Sequence, residues 1–249
     1  MIELIDLEMY CNDLLEINNF QDYCPNGLQI DAGRTEIQKV VTGVTASQAL
    51  IDAAVDVEAD LLLVHHGYFW KGESEPLTGI KGRRIRTLMQ AGISLLAYHL
   101  PLDAHPQFGN NAKLAEQLGF SSAFLVEDGL IWQADLESPL RADELALRIA
   151  QAMGRQPLHI SAGERAIQRI GWCSGAAQDY IESAAALGLD AFITGEVSER
   201  TVHLARELGI HFYAAGHHAT EKFGVQALGK HLAECHDLEH QFIDIPNPA

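Results

Sequence analysis

Residues 39–67, KVVTGVTASQALIDAAVDVEADLLLVHHG, and residues 169–197, RIGWCSGAAQDYIESAAALGLDAFITGEV, share one layout. Each runs from a β-branched strand through a small-residue turn and an alanine-rich helix to an acidic residue and a second apolar strand. The match continues in AGISLLAYHLPLD (91–103) and LGIHFYAAGHHATE (208–221), both read as glycine, strand, then histidine and carboxylate. A chain that repeats such a unit is confined to an α/β fold, because a crossover of this length joins neighbouring parallel strands. Two copies read as two similar α/β domains, 1–125 and 126–249, expected to pack closely. The stretch between the copies, about 122–165, has its own strand signals (AFLVED, LIWQADL and PLHI) and a helix, RADELALRIAQAMG. In such sheets ligands lie beyond the carboxyl ends of the strands, and both copies place their polar residues there.

The chain has 249 residues, enough for one large core or two modest ones, and a 47% hydrophobic content that suits a folded protein. The start, MIELIDLEMYCNDLLEI, reads as an acidic amphipathic helix, without the basic and apolar regions of a signal segment. No run reaches membrane-spanning length, and these features together place the chain in the cytoplasm. A net charge of −17 repels phosphate backbones and argues against a nucleic-acid partner. The basic residues Lys81, Arg83, Arg84 and Arg86 are expected on one solvated helix face. Cys11, Cys24, Cys173 and Cys235 form no CxxC pair, so they are read as reduced and structural.

The stretch LLLVHHG (61–67) ends an apolar strand on two histidines. Adjacent side chains point to opposite faces of a continuing strand, so His65 and His66 are expected to converge by a turn between them, with Gly67 easing it. The first copy then ends its third strand on His99 and Asp103, spaced HxxxD, and the second on His217 and Glu221, spaced HxxxE. Residues four apart are neighbours on a helix, although Pro101 weakens that argument for the first pair. Imidazoles mixed with carboxylates suit zinc, iron(II), manganese or cobalt, and a bridging carboxylate could hold two ions around one water. The residues therefore point to a two-metal site drawn from His65, His66, His99, Asp103, His217 and Glu221.

Around these, His105, His203 and His218 are outer candidates, whereas His211, His231, His236 and His240 read as surface positions. Glu196 stands in the second copy where the histidine pair stands in the first, and could face the same cleft. Thr42, Gly43, Thr45 and Ser47 form a strand-to-helix turn that reads as N-capping. Tyr68, Phe69, Trp70 and Lys71 could wall a planar base. No GxSxG elbow, Walker sequence or HExxH helix is present, so a serine or cysteine nucleophile is not indicated.

The segments YCPNGLQI (23–30), VTGVTAS (41–47), VHHGYFWKG (64–72), YHLPLDAHPQFGNN (98–111), FITGEVSE (192–199) and YAAGHHATEKFG (213–224) resemble the NGG-one-interacting-factor-three-like family, also called the GTP cyclohydrolase I type 2 family. The resemblance extends over nearly the whole chain and is to the short bacterial members that lack an inserted domain. It implies two intertwined α/β repeats with mixed sheets, a toroidal homohexamer, and two divalent ions (zinc, iron or manganese) per subunit. The implied ligands are His65, His66, Asp103, His217 and Glu221, with His99 outside the ligand set. The implied activity is metal-dependent hydrolysis of a nucleotide or related heterocycle, in which His99 or His218 would move protons. The alternative is a metal-binding, metal-delivery or regulatory protein without turnover.

Overall fold

The computed structural model describes residues 1–121, 123–126 and 130–249. In chain order its strands are β1 (Ile2–Glu3), β2 (Gly27–Ile30), β3 (Glu36–Ile37), β4 (Lys39–Thr45), β5 (Leu61–His66), β6 (Ser94–Ala97), β7 (Phe124–Leu125), β8 (Trp132–Leu140), β9 (Leu158–Ile160), β10 (Ile167–Trp172), β11 (Ala191–Thr194), β12 (His211–Ala214) and β13 (Glu239–Phe242). The helices are α1 (Leu4–Leu14), α2 (Gln48–Asp56), α3 (Gly79–Ala91), α4 (Leu100–Ala104), α5 (Asn110–Leu118), α6 (Ala142–Met153), α7 (Ile181–Ala186), α8 (Glu199–Leu208) and α9 (His217–His236). The last two residues of AFLVED lie outside the described residues.

The chain divides into two compact units, residues 1–109 with 224–245, and residues 110–223 with 246–249. Position 125, where the duplication suggested a single division, falls inside the second unit. The chain instead changes unit three times, once of them within α9.

Each unit is built on one mixed sheet. In the first, the order is β13-β4-β5-β6-β2, with β13, β4, β5 and β6 parallel and β2 antiparallel to β6. In the second, the order is β7-β8-β10-β11-β12-β9, where β10, β11 and β12 are parallel and the flanking strands antiparallel. The parallel triplets β4-β5-β6 and β10-β11-β12 are the two copies read in the sequence.

Both faces of each sheet are covered, which explains the unbroken apolar runs. Along β5, Leu61 and Leu63 enter one core with Leu7, Tyr98 and Leu228, while Leu62 and Val64 enter another with Leu50, Ile51 and Leu88. In β11, Ala191 and Ile193 pack with Trp172 and Tyr213, while Phe192 packs on the other face with Ile181 and Phe212. Parallel strands buried on both sides read as continuous hydrophobic stretches.

The acidic residue shared by the two copies has the same task in each. Asp60 Oδ2 accepts the backbone N–H groups of Gln38 and Lys39 at 2.8 and 2.9 Å, and Asp190 Oδ2 accepts those of Gln168 and Arg169 at 2.9 Å each. An arginine then pairs with each carboxylate, Arg34 with Asp60 and Arg165 with Asp190. Ser47 caps α2, its Oγ accepting the Leu50 N–H at 3.3 Å, so the turn at 42–47 is a capping turn. Arg83 and Arg86 are exposed on α3, whereas Lys81 and Arg84, expected on the same solvated face, are partly buried, Lys81 because it pairs with Glu73. All four cysteines are free, with Cys235 exposed and the other three buried. Among the described residues no helix is long and apolar enough to cross a membrane.

Candidate metal centre

In the first unit, β5 continues through both histidines, and the turn at Gly67 follows the pair instead of dividing it. Convergence has another cause. The ladder with β6 ends at Val64–Ala97, so the two histidines stand beyond the end of that neighbouring strand, where its side chains no longer separate them. Their ring centroids are 4.5 Å apart. His65 is fully buried, and its Nδ1 lies 2.9 Å from the Tyr98 carbonyl oxygen. A carbonyl can only accept, so Nδ1 carries the proton and Nε2 is left as a lone-pair donor. That Nε2 faces Asp103 Oδ1 at 3.6 Å. His66 is anchored by Thr45 Oγ1, 3.1 Å from its Nδ1.

Asp103 sits in α4, for which His99 is the N-cap residue and Pro101 lies in the first turn, where a missing N–H costs nothing. The HxxxD spacing is therefore helical despite the proline. His99 turns to a different carboxylate, its Nδ1 lying 2.7 Å from Asp22 Oδ1. Asp22 also accepts the Leu100 N–H at 2.9 Å and an Asn26 amide N–H at 2.9 Å. Burial works to raise the Asp22 pKa, but the bonds from His99 and Asn26 outweigh it and hold the carboxyl at about 2. His65, His66 and His99 each offer one nitrogen, all within 4.8 Å of one another, and so do Asp22, Cys24 and His99 with oxygen, sulfur and nitrogen. These histidine and acidic groups could hold metal ions.

In the second unit the HxxxE spacing opens α9. His217 Nε2 lies 3.1 Å from Glu221 Oε2, and its Nδ1 lies 2.6 Å from Glu196 Oε1. Burial alone would lower the His217 pKa, yet the two carboxylates raise it to about 9. Glycines make the room: a Cβ on Gly175, whose φ is +67°, would stand 2.1 Å from Glu221 Oε1, and one on Gly195 would stand 2.6 Å from the His217 Cα. The cluster is thus a cradle with an excess of negative charge, which fits a bound cation.

The remaining histidines divide differently from their sequence reading. His211 is fully buried, with Nδ1 3.1 Å from His159 Nε2, and His231, His236 and His240 are partly buried instead of lying on the surface. His231 is paired with the Tyr10 hydroxyl and His240 with the Thr42 hydroxyl, while His236 makes an edge contact with the Tyr10 ring. His105 Nδ1 accepts the N–H groups of Gln107 and Phe108, a local turn contact. His203 is exposed on α8. His218 is partly buried beside His217 at the start of α9. Asp22 was missed by sequence reasoning, and its only signal was its place one residue before the YCPNGLQI motif.

Known proteins match over almost the entire chain. The family model Duf34/NIF3 (NGG1p interacting factor 3) matches residues 2–248. A protein from Pseudomonas aeruginosa, the "GTP cyclohydrolase 1 type 2 homolog", is 55% identical over 239 residues, 94% of each chain. The protein of that name from Escherichia coli K12 is 53% identical over 98% of each chain. Among solved structures, protein ybgI, of unknown function, superposes with a TM-score of 0.96 at 51% identity over 100% of both chains.

Proposed function

Because the chain belongs to the Duf34/NIF3 (NGG1p interacting factor 3) family, we propose that it is a metal-dependent hydrolase holding about two divalent ions per chain. His65, His66, Asp103, His217 and Glu221 would be the ligands. One observation carries the metal reading, and it occurs once in each repeat. His65 is tied through Nδ1 to the Tyr98 carbonyl with Nε2 beside Asp103, and His217 is tied through Nδ1 to Glu196 with Nε2 beside Glu221. An outer partner that fixes the tautomer and aims the other nitrogen is the usual support of a metal-binding histidine.

Bound there, zinc, iron or manganese would supply Lewis acidity and bring the pKa of a water toward neutrality. The chain's own groups would handle the protons. His99 donates its Nδ1–H to Asp22, which leaves its Nε2 to face the reacting groups as the proton carrier. His218 is the rival carrier. The substrate class, a nucleotide or related heterocycle, is suggested by the names of the Pseudomonas and Escherichia relatives. The family resemblance further supports a toroidal homohexamer in the cytoplasm, with neither a membrane nor nucleic acid as partner. Light scattering tests the assembly.

Elemental analysis of protein purified without chelator or nickel tests the centre, in wild type and in Asp103→Ala. Near two ions per chain, falling sharply in the variant, supports it, and GTP turnover that follows metal content supports the hydrolase. Substoichiometric metal unaffected by the substitution sinks both. A second reading, metal delivery without turnover, is favoured by the second ligand cluster of Asp22, Cys24 and His99, which shares His99 with the cluster of His65 and His66 and so offers an ion a neighbouring place to move to. Metal exchange with no turnover would select it.

A further inference from the structure

The segment after the histidine pair is held more firmly than an exposed loop requires. Tyr68 is buried, with its N–H donated to Gln29 Oε1 and its hydroxyl to the Ala46 carbonyl, each at 2.7 Å. Glu73 Oε2 accepts the N–H groups of Phe69 and Trp70 at 2.9 and 3.3 Å, and Lys81 pairs with that carboxylate at 3.6 Å. Phe69 adopts a left-handed backbone, φ +63°, which is strained for a bulky side chain and persists only where surrounding contacts impose it.

The result of these tethers is the placement of Trp70. Its ring stands edge-on to His99 at 4.9 Å and 6.0 Å from His66, and it is only partly buried. The next N–H, of Lys71, bonds the Tyr23 carbonyl at 2.7 Å, which fastens a second aromatic to the same place. Tyr23 is 63% exposed and its ring is 6.4 Å from His99. Two accessible aromatic rings therefore flank the histidine that is paired with Asp22.

We propose that Trp70 and Tyr23 form an aromatic rim that stacks the planar heterocyclic ring of the substrate next to His99. The inference rests on the hydrolase reading and adds to it the recognition element for the ring. An aromatic face gains stacking energy from any flat base, which accounts for ring binding in a chain as acidic as this one, where attraction for phosphate alone is poor. The two residues are specificity determinants and are not themselves metal ligands.

The chain supplies its own reporter. Of its three tryptophans, Trp132 and Trp172 are buried, at 6% and 0% exposure, so ligand-dependent quenching of the fluorescence reads Trp70. Metal-loaded protein is titrated with GTP, guanosine and inorganic tripolyphosphate, and binding is measured in parallel by equilibrium dialysis. GTP and guanosine are expected to quench, and tripolyphosphate to leave the emission unchanged. Trp70→Ala and Tyr23→Ala should each bind GTP about tenfold more weakly with metal content retained, and Trp70→Phe should bind within about threefold of wild type. GTP binding by Trp70→Ala at the wild-type affinity overturns the rim, and if that variant also turns over GTP the hydrolase reading stands without it. Recognition of tripolyphosphate with none of guanosine also overturns the rim. Failure of every ring compound to bind overturns both the rim and the nucleotide substrate class, while the metal stoichiometry reports separately on the centre.

Discussion

Asp190 and Arg169 exchange hydrogen bonds across the start of two parallel strands. The Asp190 carboxylate accepts the Arg169 N–H at 2.9 Å, and the Asp190 N–H donates to the Arg169 carbonyl at 2.8 Å. Asp60 and Lys39 do the same in the other repeat, at 2.9 and 3.0 Å. The carboxylate thus closes the end of β10 opposite to the metal cradle, where a strand would otherwise begin with unsatisfied donors. Asp190→Ala strands two backbone N–H groups and the Arg165 guanidinium, and should cost about 3 kcal/mol of stability. Urea unfolding measures the loss, and metal content under native conditions should stay at the wild-type level. A loss under about 1 kcal/mol would show that water replaces the carboxylate without penalty.

Gly175 is the residue on which the second cluster depends for space. Its φ of +67° is strained for alanine, and the added Cβ would meet Glu221 Oε1 at 2.1 Å. Gly175→Ala should therefore move the Glu221 carboxylate, weaken metal affinity about 10- to 100-fold, and cost about 1 kcal/mol of stability. Metal titration of chelator-treated protein reads the first effect and thermal melting the second. Unchanged affinity would mean that Glu221 is not a ligand.

Much of this arrangement was legible in the residues themselves. LLLV before His65 announced a strand covered on both faces, and the paired layouts at 39–67 and 169–197 announced two parallel triplets. HxxxE announced the helical pairing of His217 with Glu221. What could not be read depends on distant partners. Asp22 looks like any loop acid until His99, 77 residues later, is brought to it. His211 begins a short strand, where alternation does not reveal that a second histidine on β9 will stack against it. The strand β13 is polar at three of its four positions, and nothing local says that it adds to the edge of β4 instead of staying with the unit that precedes it.

His99 is close enough to His65 and His66 to serve as a ligand, with nitrogens within 4.8 Å, yet its bond to Asp22 suits a proton carrier. The two roles separate in His99→Gln. A carrier gives a fall in kcat for GTP hydrolysis of about 10²-fold or more with metal content unchanged. Loss of metal in parallel with activity would move His99 into the ligand set, and His218→Gln would then be the variant to show the isolated loss of kcat.

The Asp22 carboxyl makes stability depend on acidity in a direction its environment fixes. Burial opposes its charge, but the hydrogen bonds from His99 and Asn26 prevail and leave the folded-state pKa at about 2. Unfolded, the group titrates near the ordinary aspartate value of about 3.9. A pKa lowered by folding contributes stability that is fully present above the unfolded value and is lost as pH falls through the folded one. The difference corresponds to about 3 kcal/mol, for a side chain only 3% exposed. Asp22→Asn keeps an amide oxygen as acceptor and removes the charge, so wild type should exceed the variant by about that amount at pH ~6, with the gap closing between pH ~4 and ~2. Urea unfolding of both proteins at each pH checks it. A gap of the same size at pH ~2.5 and ~6 would assign the contribution to neutral hydrogen bonding in place of the Asp22 charge.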